Sequence, residues 1–113
     1  MEAHAERITA ICANMLQFFL ETLNFTVSFD AEYDGSFIGT VEELDLCENS
    51  QSKNGCMMLL LEAMKEYAQD FYREFDLWSS APNRRKHIPY VIKILSSSDK
   101  KLLEAMKCQT GEN

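Results

Sequence analysis

Apolar residues recur with a helical period over the first 22 positions. Ile8, Ile11, Cys12, Met15, Leu16 and Phe19 fall at i, i+3, i+4, i+7 spacing, and Phe18, Leu20 and Leu23 widen the stripe. The pattern predicts a helix over residues 3–22. So much apolar surface suits either a core helix or one shared with a second subunit, with Ile11, Met15 and Phe18 as the dimer contacts. The period then changes to two. Phe25, Val27, Phe29 and Ala31 alternate with Thr26, Ser28 and Asp30, the signature of a half-buried strand.

Asp34-Gly35 marks the turn that follows, and its length is deducible. A two-residue loop would pair Phe29 with Thr40 and set Phe29 on the face opposite Phe37 and Val41. A three-residue loop, Tyr33-Asp34-Gly35, pairs Ala31 with Phe37, Phe29 with Gly39 and Val27 with Val41, so the apolar residues share one face. Gly35 then takes the left-handed third position of a turn with a bulge, and a positive φ is expected there.

A third strand is predicted over residues 44–47, with the polar run Glu48-Asn49-Ser50-Gln51-Ser52 as a loop whose Ser50 or Ser52 caps the next helix. That helix is predicted over residues 53–78. Met57, Leu60, Leu61, Met64, Ala68, Phe71, Phe75 and Trp78 form its apolar stripe. Asn54-Gly55 is a poor helix start, so a frayed or shifted first turn is expected. Ala81-Pro82-Asn83 ends the helix. Ile88, Val91, Ile92 and Leu95 favour a further helix over a strand, and residues 99–107 suit a short last one after the Ser96-Ser97-Ser98 break.

These elements predict an α+β fold. An N-terminal helix precedes a three-stranded antiparallel sheet packed on one long helix, with a short helical C-terminal tail. Residues 1–113 read as a single domain, divided into the helix 1–22, a core over 25–78 and a basic tail over 81–107. The chain is 46% hydrophobic, enough for a packed core.

Charge changes the picture. Residues 1–83 carry fifteen acids against four bases, whereas residues 84–107 carry seven bases against two acids. Two electrostatically different surfaces suit a protein that contacts macromolecules. Trp78, Arg84, Arg85, His87 and Tyr90 gather aromatic and cationic groups at the start of the basic stretch and are the candidate partner-binding residues. Against that stands the reading in which Trp78 closes the core and the bases are merely solvated.

Catalytic chemistry is not legible. The acids Glu42-Glu43 and Asp30/Glu32/Asp34 read as solvated strand and turn carboxylates. His4 and His87 are isolated, and the cysteines at 12, 47, 56 and 108 fit no zinc pattern, so no metal, disulfide or cofactor is expected. Met57, Met58 and Met64 read as core filling before an adaptable binding face. No apolar run approaches the about 20 residues of a membrane helix. With no signal-peptide pattern at the start, a cytoplasmic, non-enzymatic protein without membrane contact is expected.

Three segments resemble a known family: FDAEYDGSF at 29–37, VEELDL at 41–46, and EAMKEYAQDFY at 62–72 followed by FDLWSSAPNRRKHIPYV at 75–91. Together they resemble RelB-like antitoxins of type II toxin–antitoxin systems, and the strand–turn–strand–strand–helix core is similar to that of HicB-type antitoxins. The resemblance covers residues 25–95. It implies a protein that neutralises a small basic ribonuclease toxin, RelE-like or HicA-like, by direct binding. It also implies a homodimer with possible operator DNA as a second partner, and no catalytic residue. A scaffold subunit or a small-molecule sensor is the alternative.

Overall fold

A computed structural model describes residues 2–109. The element order is α1 (Glu2–Thr22), β1 (Phe25–Ala31), β2 (Phe37–Val41), β3 (Leu46–Ser50), α2 (Lys53–Arg73), α3 (Phe75–Ser79), α4 (Pro82–Arg85), α5 (Ile88–Ser96), α6 (Asp99–Ala105) and β4 (Met106–Cys108). The α+β class and the N-terminal helix agree with the expectation. The sheet is larger than expected: it has four strands in the order β3-β2-β1-β4.

The hairpin register is the one deduced from alternation. Val27 pairs with Val41, Phe29 with Gly39 and Ala31 with Phe37. Gly35 has φ +87°, and its N–H donates to Glu32 O at 3.1 Å. Phe25, Val27 and Val41 are buried against Leu60, Leu61, Met64, Ala68 and Phe71 of α2. At Gly39 the sheet and the helix approach closely. A Cβ there would lie 3.0 Å from Cys56 Cβ and 3.1 Å from Leu60 Cδ1. Ser52 caps α2, accepting from Gly55 N–H at 2.9 Å. Gly55 suits this unpromising helix start because a Cβ there would run into the hydroxyl of Ser50.

Three expected boundaries are corrected. The third strand lies at Leu46–Ser50, not 44–47. Residues 42–45 form the turn, with Asp45 in the left-handed region at φ 56°. Polar residues suffice because β3 is an edge strand held by backbone pairing. Asn49 adds a side-chain bond to Phe37 O at 2.8 Å.

The long helix does not run unbroken to residue 78. It stops at Arg73, and Glu74 adopts φ −120°, ψ 46° before α3 begins. The break folds the chain back, so that the Trp78 ring lies 5.4 Å from Tyr67 and 5.6 Å from Phe71. A continuous helix would carry Trp78 away from both.

The last helix ends at Ala105, and residues 106–108 pair in parallel with β1, Phe25 opposite Met106. Met106 is buried there, and Gln109 N–H extends the pairing to Val27 O at 2.8 Å. A purely antiparallel three-stranded sheet with a helical tail is thereby replaced by a mixed sheet. The helix expected at Ile88–Leu95 is present as α5, with Pro89 in its first turn, where its missing N–H costs nothing. Ser98 caps α6 by accepting from Lys101 N–H.

Candidate partner-binding surfaces

Five residues of the basic segment were candidates from sequence, and the structure brings three of them together. Arg84 lies over the Trp78 ring at 4.9 Å and over the Tyr67 ring at 5.6 Å. Its Nη1 donates to Tyr67 Oη at 3.3 Å. Tyr67 Oη is 2.6 Å from His87 Nδ1. Either atom of that pair can donate, according to the tautomer of the imidazole. The other ring nitrogen, Nε2, is buried and has no partner among the described residues.

Burial is the main cause that pushes the His87 pKa down; Lys86 and Arg84 add to it, and Asp45 opposes. A cleft of about 400 Å³ opens beside this cluster, between the β2–β3 turn at Asp45 and the α4–α5 junction. The hub of the cluster, Tyr67, is not among the residues singled out from sequence. It is absent from the apolar stripe read from sequence, and nothing local announces the hydrogen bond across twenty residues to His87.

Arg85 and Tyr90 stand apart. Arg85 is exposed, with Nε donating to Ser79 O at 3.1 Å. Tyr90 packs on Phe25 with ring centroids 5.5 Å apart, and burial followed by Glu43 raises its pKa. Lys93, also from the basic stretch, is buried and donates to Leu20 O at 2.6 Å. That bond places a cation at the C-terminus of α1, where the helix dipole favours it.

Above that anchor α1 stands clear of the rest. Residues 3–19 are all exposed, including Ile11, Met15 at 66% and Phe18 at 70%. Ala13, Leu16, Gln17 and Leu20 line a groove of about 620 Å³ toward α5 and α6. Ile11, Met15 and Phe18 lie on the opposite side of the helix.

Three of the fifteen acids of residues 1–83 cluster at the hairpin tip. Asp30, Glu32 and Asp34 are exposed around Tyr33, which is fully solvated. Asp34 accepts from the Ser36 hydroxyl at 2.6 Å and the Ser36 N–H at 3.0 Å. These bonds hold its pKa below the usual carboxylate value and keep the tip charged. The four cysteines are unpaired; Cys12, Cys47 and Cys108 are exposed and Cys56 is buried. Among the described residues no helix is long and apolar enough to cross a membrane.

Comparison with known proteins supplies the context for these surfaces. A family model described as antitoxin of toxin–antitoxin, RelE/RelB, TA system (PHD-like) matches residues 1–107. The chain is also similar to a crystal structure from Syntrophomonas wolfei subsp. wolfei, described as the antitoxin part of a proposed toxin/antitoxin system. The two share 31% identity at a TM-score of 0.75, over 85% of this chain and 70% of that one. No curated protein matches. The family model carries the RelB side of the resemblance, the solved structure supports an antitoxin, and neither extends to a HicB-like core. With a family match over nearly its whole length, the chain belongs to the PHD-like antitoxins of RelE/RelB toxin–antitoxin systems.

Proposed function

We propose that this antitoxin neutralises a small basic ribonuclease toxin, RelE-like or HicA-like, by binding it directly in the cytoplasm. The observation that carries the reading is the separation of charge on the surface. Exposed Asp30, Glu32 and Asp34 surround Tyr33 at one end of the sheet. Exposed Arg85, Lys86, Lys100 and Lys101 belong to the C-terminal quarter. An acidic tip attracts and orients a basic nuclease, and an exposed aromatic at its centre supplies contact area. The antitoxin acts here by occupying a surface, and none of its residues is catalytic.

The basic quarter supports a second role, binding of operator DNA and control of its own expression. Arg85 and Lys86 are the residues free to meet phosphate, while Trp78, Arg84 and His87 form the platform beneath them. Such binding should weaken with salt.

The test is co-expression with the product of the adjacent gene. A complex that co-purifies, and in which RNA cleavage by the toxin is suppressed, supports the reading. Replacing Asp30, Glu32 and Asp34 by lysine should slow association and remove its salt dependence. Absence of a complex, or a complex indifferent to these charges, would overturn the acidic-surface mechanism.

A further inference from the structure

We infer that the cleft beside Trp78 and Arg84 binds a small oxyanion, the phosphate or carboxylate group of a molecule of metabolite size. The cleft is about 400 Å³, within the range of small-ligand sites. Leu44, Leu46 and Trp78 give it apolar walls, and Arg84, Lys86 and His87 supply its polar side. None of these residues belongs to the acidic tip proposed for the toxin.

Arg84 carries the argument. It is half-buried and held in place, over the Trp78 ring at 4.9 Å and the Tyr67 ring at 5.6 Å. Its one side-chain hydrogen bond among the described residues runs from Nη1 to Tyr67 Oη. The rest of the guanidinium fork is unused. Nor does Arg84 have a carboxylate. The ion pairs among the described residues are Lys65 with Glu62 and with Asp99, and Arg73 with Asp70. A cation drawn out of water is normally paired, and the rings compensate it only in part. They leave the edge of the fork free, and a planar fork takes phosphate or carboxylate through two parallel bonds.

His87 gives an independent sign of a ligand. It lines the same cleft and is 4% exposed, and its Nε2 is the buried side-chain nitrogen left without a partner among the described residues. Such an atom costs free energy that a polar group of a ligand would recover. Lys86 adds a second, exposed cation. Asp45 also lines the cleft, yet it forms no ion pair with Arg84 or Lys86. The protein's own charges therefore do not close the space, and a hydroxyl or ammonium on the ligand would meet Asp45. The phosphates of a duplex lie along a broad rod and meet exposed side chains such as Arg85 first. A half-buried fork inside a cleft suits a molecule small enough to enter it. Occupancy would tie the β2–β3 turn to the α4–α5 junction, and a ligand that binds only the folded chain stabilises it by mass action.

Trp78 is the single tryptophan, so its fluorescence reports the cleft in the full chain without a label. Inorganic phosphate and acetate are titrated separately at constant ionic strength. At least one should give a saturable change, with a Kd of about 1–10 mM for so few atoms, and should raise the thermal unfolding midpoint. Saturation by phosphate alone assigns a phosphorylated ligand, and by acetate alone a carboxylate. Arg84→Lys keeps the charge and loses the fork, and should weaken binding roughly tenfold. Lys86→Ala, at an exposed position that spares the fold, should also weaken it. Arg85→Ala, outside the cleft, should not. Absence of saturation with both ions would overturn the inference, as would equal losses in Arg85→Ala and Lys86→Ala. So would unchanged affinity in both Arg84→Lys and Lys86→Ala. Loss of DNA binding in Arg84→Lys in proportion to the loss of phosphate would overturn it too, by giving the cleft to a duplex.

Discussion

Tyr67 Oη lies 2.6 Å from His87 Nδ1, and this bond ties the middle of α2 to the start of α5. The pair is buried, and Arg84 donates to the same oxygen. Tyr67→Phe keeps the ring stack on Trp78 but strands two polar groups, the imidazole nitrogen and one guanidinium N–H. The expected cost is roughly 1–3 kcal/mol, mostly the penalty for the unsatisfied nitrogen. Urea unfolding of the two proteins side by side measures it.

The same histidine should make stability depend on pH. Its folded pKa lies below its ordinary value of 6.5, chiefly through burial, with Lys86 and Arg84 adding repulsion. Between the folded and the ordinary values the unfolded chain binds more protons, so stability rises with pH. The contribution is complete above 6.5 and is lost as pH falls through the folded value. Urea midpoints measured from neutral to mildly acid pH should decline. His87→Gln, which cannot take up the proton, should flatten that decline.

Gly39 offers a third prediction, on packing alone. It pairs with Phe29 across the hairpin, and its missing Cβ lets Cys56 and Leu60 of α2 approach the sheet. Gly39→Ala would place a methyl 3.0 Å from Cys56 Cβ and 3.3 Å from Phe29 Cε1. Leu60 can yield by a rotation, but Cys56 Cβ is fixed to the helix backbone. The sheet must shift, at roughly 1–3 kcal/mol. Thermal unfolding checks this, and a variant as stable as the parent would show that the layer is loosely packed.

How far these features can be read from sequence follows from where their energy resides. The β1–β2 register was legible because one glycine and one alternation allowed a single solution that buried Val27 and Val41 together. The end of α2 was not, because Glu74 leaves the helix to let Trp78 reach Tyr67 and Phe71. That gain is tertiary, and the residues around Glu74 continue the helical period regardless. β4 was hidden for a similar reason. Three residues at the end of a helical pattern pair with a strand some eighty positions earlier, and only Met106 is buried in return. At the candidate surface the aromatic and basic residue types were legible, but not how their charges are used. Arg84 is held by rings, and Lys93 is committed to a helix end.

Lys93 is open to direct test. Its Nζ donates to Leu20 O, and burial, reinforced by Lys101, lowers its pKa against the pull of Glu21. Lys93→Met keeps the apolar stem and removes the donor. The last turn of α1 should then exchange its amide hydrogens roughly tenfold faster, equivalent to about 1.4 kcal/mol of local opening. The protection of α2 should not change. Uniform loss of protection across the chain would instead place Lys93 in the global core.

The basic segment should separate into two kinds of arginine. Arg84 is half-buried, stacked on Trp78 and hydrogen-bonded to Tyr67. Arg84→Ala should therefore cost stability, by roughly 0.5–2 kcal/mol for removal of the cation–π interaction. Arg85 and Lys86 are exposed, and Arg85 makes a single bond to a backbone carbonyl. Arg85→Ala/Lys86→Ala should leave unfolding nearly unchanged. If this surface meets DNA, the double variant should bind more weakly on every sequence. Its salt dependence should fall by about 0.9 in log–log slope for each phosphate no longer neutralised. Fluorescence anisotropy on operator and random duplexes over a salt series reads both quantities. Unchanged DNA binding in the double variant would assign the basic segment to the fold alone, with Arg84 as its working residue and Arg85 and Lys86 as solvated charges.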